Sequence, residues 1–310
     1  MTAIATSPDT GLLPDSGLGG LYLRLICVPA IWGGTFVAGR IVSAQLPPAT
    51  AAFARYVLAS LALLAVLQFS QGLGVLRRIT LRQLLGTLGL GATGILTYNL
   101  LFFSALSFLP AGRTALIVAL NPVVTLLLAA ALLGDRLPPS RWGGMALALL
   151  GVWVVVTHGD LGQLRQSLGR GELSMLGAVL AWAAYTLLGR RVLRDLSPLV
   201  ATLLASLWGT LFLGVAALPE WPLVHWQAFT PAVGLSLLFL GVIGTAVAFV
   251  WYYEGITRLG AARTVIFNNL VPVFSVLFGW LMLGEPISAS LLAGGALAVA
   301  GVFLVNRAGR

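Results

Sequence analysis

The chain repeats itself at a constant spacing of 150 residues, without a slip in register. Trp32 returns as Trp182, and the surrounding residues return with it. A duplication of this length predicts two copies of one folding unit in tandem. The other matched pairs are Gly39-Arg40 with Gly189-Arg190, Pro48 with Pro198, Arg113-Thr114 with Arg263-Thr264, Pro122-Val123 with Pro272-Val273, and Gly151-Val152 with Gly301-Val302.

The composition places both copies in a lipid bilayer. Hydrophobic residues make up 59% of the chain, charged residues only 9%, and the mean hydropathy is +0.98, whereas soluble domains carry about 25% charged residues. The net charge of +9 comes from arginines scattered over short loops, so it does not predict a nucleic-acid surface. Cys27 is the only cysteine, which excludes an intrachain disulfide and a cysteine-based zinc cluster.

Apolar runs bounded by Arg, Pro and Gly predict ten membrane-spanning helices, since roughly 20 apolar residues cross the hydrocarbon core. We expect a first repeat over residues 21–157 and a second over 173–310, joined by an external loop at 158–172. Residues 1–20 lack the pattern of a signal peptide and are expected to be a disordered cytoplasmic tail. The predicted spans, numbered 1 to 10, are 22–42, 49–69, 84–106, 113–133, 142–157, 173–190, 198–219, 232–254, 263–283 and 288–306.

The arginines predict the orientation of these spans. Ten spans with a cytoplasmic N-terminus put thirteen arginines inside and four outside, the bias typical of inner loops. Both termini are therefore expected in the cytoplasm. The inner set is Arg24, Arg77, Arg78, Arg82, Arg136, Arg141, Arg190, Arg191, Arg194, Arg258, Arg263, Arg307 and Arg310, and the outer set is Arg40, Arg113, Arg165 and Arg170.

An odd number of spans in each copy means that the second copy crosses the membrane upside down. Arg113 then falls outside and its equivalent Arg263 inside, as inversion requires. Inverted repeats are typical of secondary transporters that work by alternating access, with the substrate site where the repeats meet.

Two tryptophans lie near the middle of spans 1 and 6, although tryptophan prefers the membrane interface. Trp32 and Thr35 share a helical stripe, and Trp182 and Tyr185 repeat it. We interpret the four as candidate substrate-binding residues. The alternative, that these side chains only fill helix contacts, is equally compatible with the pattern.

Spans 4 and 9 carry a mirrored polar pattern at mid-depth. Each contains one asparagine, Asn121 or Asn268, and a proline, Pro122 or Pro272, that removes a helical hydrogen bond. We predict helix breaks or hinges at the prolines and substrate contacts at the asparagines; the alternative is that polar side chains only bond helices together. The two faces are Thr114, Val118, Asn121 and Thr125, and Thr264, Asn268, Val271 and Ser275.

Span 3 offers a third candidate face, formed by Tyr98, Asn99 and Phe102, that could reach the same centre. The aromatic run of span 8 lies nearer the cytoplasmic end, where an interfacial belt is the favoured interpretation. That run comprises Phe249, Trp251, Tyr252 and Tyr253.

Ionisable groups are scarce within the spans. Arg55 lies in span 2, where snorkelling or a structural hydrogen bond is favoured over substrate binding. Glu254 is expected to pair with Arg258, while His158 and His225 fall in outer loops. Without a carboxylate or histidine at mid-membrane, the sequence does not favour proton antiport.

Spans 5 and 10 are predicted to brace the core at the periphery, because matched small residues allow close helix packing. We expect a monomer, although the same faces would also permit a dimer. The faces are Gly144, Ala148 and Gly151, and Gly294, Ala298 and Gly301.

These motifs, in this order and repeated, resemble the drug/metabolite transporter superfamily in its ten-helix form with paired EamA-type repeats. The resemblance covers residues 22–306. Within the superfamily the chain is similar to the YddG-type bacterial exporters of aromatic amino acids. The motifs are Ala30-Ile31-Trp32-Gly33-Gly34-Thr35-Phe36, Phe53-Ala54-Arg55-Tyr56, Asn121-Pro122-Val123 with Val271-Pro272-Val273, and Leu133-Gly134-Asp135 with Leu283-Gly284-Glu285.

The resemblance implies an all-α integral membrane protein of the bacterial inner membrane, with two inverted five-helix repeats around a central cavity. Spans 1, 3, 4, 6, 8 and 9 would line that cavity. It also implies that the acidic residue after Gly134 or Gly284 marks a helix end.

The sequence therefore favours an exporter of aromatic or neutral amino acids and related metabolites, with the lipid bilayer as its other partner and no cofactor. Trp32, Tyr98 and Trp182 would stack on the substrate, and Asn99, Asn121 and Asn268 would bind its polar end. A broad-specificity exporter of drugs or amphiphiles is the alternative. An intramembrane enzyme is disfavoured, because no nucleophile with a base and no metal site falls within the spans.

Overall fold

The computed structural model describes residues 18–134, 138–160, 168–225 and 229–307. Within these ranges the regular structure is helical, and nine helices of at least 18 residues are apolar enough to cross a membrane, with a shorter apolar helix at Arg141–Val156. The spans are Leu18–Ser43; Pro48–Ser70; Leu81–Leu90, Gly91–Thr97 and Tyr98–Phe108; Ala111–Val118 and Asn121–Leu133; Pro139–Val156; Arg170–Val192; Pro198–Ala217; Pro231–Leu238, Phe239–Val247 and Ala248–Leu259; Ala261–Ile266, Phe267–Leu270 and Val271–Leu283; and Ala289–Arg307. Short 3-10 turns, Leu73–Arg78 and Trp221–Leu223, follow spans 2 and 7.

The ten helical segments correspond to the ten predicted spans, and the prediction of an all-α membrane protein is confirmed. Span 1 starts at Leu18 and span 6 at Arg170, so both begin inside the segments expected to be tail and loop. The rest of the predicted tail, residues 1–17, and residues 161–167 of the predicted loop lie outside the described residues.

Local sequence signals set where several spans begin and end. Spans 2, 5, 7 and 8 start with proline in the first turn, where its missing N–H costs no hydrogen bond. Span 3 starts with a capping box, in which the side chains of Thr80 and Gln83 each accept a backbone N–H of the other. Spans 4 and 9 stop at Gly134 and Gly284, whose φ values of 72° and 68° are left-handed.

Polar contacts between span ends agree with ten alternating crossings. We call the face of the bundle where span 1 begins the N side, and the opposite face the distal side. On the N side, Arg24 pairs with Glu254 of span 8 at 2.7 Å. On the distal side, Glu220 accepts the backbone N–H of Thr50 at 2.8 Å, and Arg113 pairs with Glu172 at 2.7 Å.

Spans 5 and 10 pack on each other through the predicted small-residue faces. A Cβ atom added at Gly151 would meet the backbone of Ala298, and one added at Gly301 would meet the backbone of Ala148. The two contacts are equivalents of each other at the 150-residue spacing. The faces are therefore occupied within one chain, as the brace interpretation predicts.

Large apolar side chains point outward along the described spans. Leu132, Leu211 and Leu281 are 71%, 56% and 60% exposed. Exposed apolar surface on this scale would be a liability in water, whereas lipid accepts it.

Candidate functional site

Aromatic rings near the middle of the bundle form two groups. In the first, the Trp182 cluster, Tyr98 lies between Trp182 and Phe102, with ring centroids at 5.2 and 5.8 Å. Tyr185 lies one turn beyond Trp182, at 5.2 Å. Rings at these separations attract each other in tilted and offset-stacked arrangements. The structure thus brings the predicted aromatic residues of spans 3 and 6 together.

The second group, the Trp32 cluster, joins spans 1 and 8. The Trp32 ring lies 5.8 Å from Phe249 and 5.2 Å from Tyr252, and its Nε1 donates to the Gly244 carbonyl at 3.1 Å. The belt interpretation is wrong for Phe249 and Tyr252, because position along a helix gives depth but not the direction of a side chain. Both were missed as site candidates.

Phe36 connects the two clusters. It follows Trp32 by one helical turn, and its ring contacts Phe102 at 5.4 Å. Trp32 and Trp182 thus belong to neighbouring clusters rather than to one shared face.

Two asparagines of spans 4 and 9 keep amide oxygens without a partner among the described residues. Asn268 donates to the Tyr252 hydroxyl at 3.5 Å, but its Oδ1 is buried without a partner among the described residues. Asn121 Oδ1 is likewise buried and unpaired within the described part of the chain. Because an unsatisfied buried acceptor costs free energy, each oxygen is a place where a ligand could donate a hydrogen bond.

Both asparagines lie where their span is interrupted. The span 4 helix stops at Val118 and restarts at Asn121, directly before Pro122. Span 9 changes to a 3-10 turn over Phe267–Leu270 before Pro272. The interruptions follow from the missing proline N–H, as the sequence predicts.

Spans 3 and 8 contain π-helical segments, which no pattern in the sequence predicts. They cover Gly91–Thr97 and Phe239–Val247, and their last residues occupy equivalent positions at the 150-residue spacing. Such segments are frequent at functional sites. A glycine lies at each contact with the opposite repeat: Gly94 lies under the Tyr185 ring and Gly244 under the Thr35 methyl group.

The hydroxyls of Thr35 and Thr114 are already engaged. Thr35 donates to the Trp32 carbonyl at 2.5 Å, and Thr114 to the Pro110 carbonyl at 2.8 Å. Both side chains are buried. Thr35 therefore contributes a methyl contact in this conformation, not a free hydroxyl.

Asn99 is engaged as well. Its side chain is fully buried, its Oδ1 accepts from Arg55 Nη1 at 3.1 Å, and its Nδ2 donates to the Ile95 carbonyl at 2.9 Å. In this conformation it holds Arg55 in place. Arg55 does not snorkel: it is 9% exposed and makes a structural hydrogen bond, the second of the two expected roles, to the Asn99 side-chain carbonyl.

The four glutamates all act at span ends. Glu172 and Glu254 form ion pairs with arginines. Glu220 accepts from Thr50, and Glu285 accepts the backbone N–H groups of Ala111 and Gly112 at 2.7 and 3.2 Å. Glu285 thus caps the start of span 4 from the end of span 9. The equivalent Asp135 lies outside the described residues.

Two surface cavities open on the distal side. One is lined partly by Arg113, His158 and Glu285, and the other partly by Ser104, Arg170 and Ser174. The lining of neither cavity includes a ring of the two clusters.

Comparison with known proteins identifies the family of the chain. The profile of the EamA-like transporter family matches residues 20–157 and again 169–307. The chain belongs to the EamA-like transporter family. It is a multi-pass membrane transporter of the drug/metabolite transporter superfamily, not an enzyme.

Relatives of this transporter cover almost its whole length. An uncharacterized transporter, YyaM, of Bacillus subtilis is 29% identical over 92% of this chain and 93% of its own. A probable terminal-alkyne amino-acid exporter of Streptantibioticus cattleyicolor is 32% identical over 91% and 92%. A probable amino-acid metabolite efflux pump of Salmonella typhimurium is 27% identical over 91% and 93%. One solved crystal structure shares the fold, with a TM-score of 0.61 at 22% identity over 92% of this chain and 96% of that one.

Proposed function

We propose that this transporter exports aromatic and other neutral amino acids and related metabolites by alternating access. The observation that carries the proposal is the pair of aromatic clusters at mid-depth, together with two buried asparagine oxygens that have no partner among the described residues. Asn268 lies beside the Trp32 cluster, and Asn121 lies where span 4 is interrupted. Aromatic rings suit an apolar side chain, and amide oxygens suit an ammonium group. Relatives named as exporters of amino acids or their metabolites support this class of substrate.

The membrane would be the bacterial inner membrane, with both termini in the cytoplasm. The arginine bias supports this orientation, since Arg24, Arg82 and Arg258 lie on the N side. The two repeats, residues 21–157 and 173–310, would rock against each other, with hinges at Pro122 and Pro272. The N side would then be the cytoplasmic mouth.

Within this site we propose that Trp32, Tyr98 and Trp182 contact the substrate side chain, with Phe102, Tyr185 and the Thr35 methyl group behind them. Asn121 and Asn268 would accept hydrogen bonds from its amino group. Each oxygen is buried and unpaired among the described residues, so binding would satisfy it.

Transport would be facilitative. The four glutamates lie at span ends, where each has a partner, and His158 and His225 lie beyond the distal ends of spans 5 and 7. A proton relay through the middle of the bundle would need an ionisable group there.

Counterflow in proteoliposomes tests the proposal. Vesicles holding purified protein are preloaded with unlabelled phenylalanine, and entry of labelled Trp, Phe and Thr is followed with and without a proton gradient. We expect entry of Trp and Phe that depends on the preloaded amino acid and not on the gradient. Entry of no amino acid would refute the proposal, and a requirement for the gradient would refute the facilitative mode.

A broad-specificity exporter of amphiphiles is the second candidate, because the clusters are rich in aromatic surface. The same vesicles distinguish the two: efflux of a lipophilic dye without amino-acid counterflow would favour it.

A further inference from the structure

Arg55 is a cation near the middle of a membrane span. It lies in Pro48–Ser70, about four residues from the midpoint, which is about 6 Å along a helix. Its side chain is only 9% exposed. An arginine at this depth needs either a counter-charge or a water-filled cavity that receives one.

Among the residues that the structure describes, no counter-charge lies at that depth. The glutamates are engaged at span ends. Glu172 pairs with Arg113, and Glu254 pairs with Arg24 and Arg258. Glu220 accepts from Thr50, and Glu285 accepts from backbone amides at the start of span 4. The aspartates of the sequence precede span 1 or follow spans 4, 5 and 6. No ion pair among the described residues includes Arg55. A ligand that carries a negative charge would therefore meet an uncompensated cation at Arg55.

The guanidinium is held in one orientation. Nη1 donates to Asn99 Oδ1 at 3.1 Å, and Asn99 is itself fixed by the Ile95 carbonyl at 2.9 Å. Nε is buried and has no partner among the described residues. The edge formed by Nε and Nη2 is the fork that binds a carboxylate through two parallel hydrogen bonds.

The guanidinium lies near the Trp182 cluster. The guanidinium carbon is 5.9 Å from the centre of the Phe102 ring, and Phe102 stacks on Tyr98. A carboxylate on Arg55 would therefore lie beside the rings proposed to receive an apolar side chain.

We infer that Arg55 binds the carboxylate of the transported substrate through its Nε–Nη2 edge, and that Asn99 is the positioning residue for this contact. The inference rests on the proposed function for the identity of the substrate. A phosphate dianion is usually met by more than one cation, and Arg55 stands alone in its span. The equivalent residue in the second repeat is Ala205, so the substrate carboxylate binds on one side of the pseudo-symmetric site only.

Ligand-induced shifts in the unfolding temperature of the purified transporter test the contact. The probes are phenylalanine, 3-phenylpropionate, which keeps the carboxylate but not the amine, and phenylalaninamide, which keeps the amine but not the carboxylate. We expect the two carboxylates to bind at least about tenfold more tightly than the amide. Equal binding of phenylalaninamide and phenylalanine would overturn the inference.

Arg55→Gln tests the residue itself. We expect a loss of at least about tenfold in affinity for both carboxylates and no change for phenylalaninamide, with partial recovery in Arg55→Lys, which restores the charge without the fork. Arg78→Gln is the matched control, since Arg78 is exposed in the turn after span 2. Unchanged carboxylate affinity in Arg55→Gln would overturn the inference.

Asn99→Asp separates binding from a structural contribution. This nearly isosteric change places an internal carboxylate on Arg55, so we expect the unfolding temperature to be kept or raised while the affinity for both carboxylates is lost. A purely structural Arg55–Asn99 pair would predict unchanged binding, and that result would overturn the inference.

The proposed function and this inference can fail separately. Counterflow of phenylalanine that persists at wild-type level in Arg55→Gln would overturn the inference and leave the exporter intact. Arg55-dependent binding of 3-phenylpropionate without counterflow of any amino acid would support the carboxylate contact and refute the amino-acid exporter.

Discussion

Asparagines of similar depth have different surroundings in this transporter. Asn99 is fully buried with its amide engaged on both atoms, whereas Asn121 and Asn268 each keep a buried oxygen without a partner among the described residues. The first stabilises Arg55 inside the bundle. The other two leave an unsatisfied acceptor, which is destabilising unless a ligand or water meets it.

Trp32→Phe tests the indole hydrogen bond of the Trp32 cluster. The change keeps a ring at the position but leaves the Gly244 carbonyl without its donor at 3.1 Å. We expect about 1–3 kcal/mol lower stability and slower counterflow. Trp142→Phe is the control, since Trp142 is 54% exposed on span 5. If both substitutions had the same small effect, the hydrogen bond would be unimportant.

Glu285→Ala tests the cap between the repeats. Removing the carboxylate leaves the Ala111 and Gly112 N–H groups without their acceptor, at a cost of about 1–2 kcal/mol. Thermal unfolding should show this loss, and Glu285→Gln, which keeps an acceptor oxygen, should lose less. An unfolding temperature equal to wild type in Glu285→Ala would contradict the cap.

At the scale of elements, reciprocal contacts join the repeats. Thr35 of span 1 packs on Gly244 of span 8, and its equivalent Tyr185 of span 6 packs on Gly94 of span 3. Both glycines lie inside the π-helical segments. Close approach of helices at mid-span thus depends on a missing side chain at the same place in each repeat.

Gly94→Ala and Gly244→Ala should each be destabilising. An added Cβ would overlap the Tyr185 ring in the first and lie 2.8 Å from the Thr35 methyl carbon in the second. Overpacking of this kind costs about 1–3 kcal/mol. Thermal unfolding and counterflow are the measurements, with Gly89→Ala as the control, because its nearest neighbour would lie at an ordinary 3.6 Å. Equal stability of all three variants would contradict the close contact.

Spans 5 and 10 allow a second paired test. Gly151→Ala forces a Cβ into the backbone of span 10 and should lower the free energy of unfolding by about 1–3 kcal/mol. Gly143→Ala, where an added Cβ meets nothing within 4 Å, should be neutral or stabilise by up to about 1 kcal/mol. An equal loss of unfolding free energy in both variants would argue against the interface.

At the scale of the whole molecule, the two ends of the bundle differ in chemistry. Arg24 pairs with Glu254 on the N side, and the equivalent positions on the distal side, Ser174 and Ser104, share a hydroxyl hydrogen bond of 3.1 Å. The repeat therefore places an equivalent contact at each end, and this contact is ionic only on the N side. We expect the ionic contact to favour closure of the N side.

Arg24→Ser combined with Glu254→Ser tests that expectation. A partly exposed ion pair contributes up to about 1 kcal/mol, so the population open at the N side should rise by up to about fivefold. Cys27, one turn from Arg24 and the only cysteine, reports this as faster maleimide labelling. Arg258→Ser, which leaves the Arg24 pair in place, should label as wild type does. Unchanged labelling in the double variant would contradict closure by this pair.

The sequence could nominate much of the candidate site, because the repeat marks equivalent positions. Trp32, Trp182 and Tyr98 could be named from depth and periodicity, and Pro122 and Pro272 predicted interruptions that the structure contains. The inward direction of Phe249 and Tyr252 could not be predicted, since it shows only in their contacts with Trp32 of span 1. Nor could the Arg55–Asn99 pair, which joins two spans.

The sequence by itself determined the membrane environment, the ten spans and the duplication, because these follow from apolar length and from a repeat read along one dimension. Only the tertiary structure decided that the aromatic residues form two clusters, that Glu285 caps span 4 and that Arg55 lies buried beside Phe102. Each of these depends on how the helices rotate and pack across the repeats. The rotation is set by contacts between residues far apart in the chain, which no local pattern records.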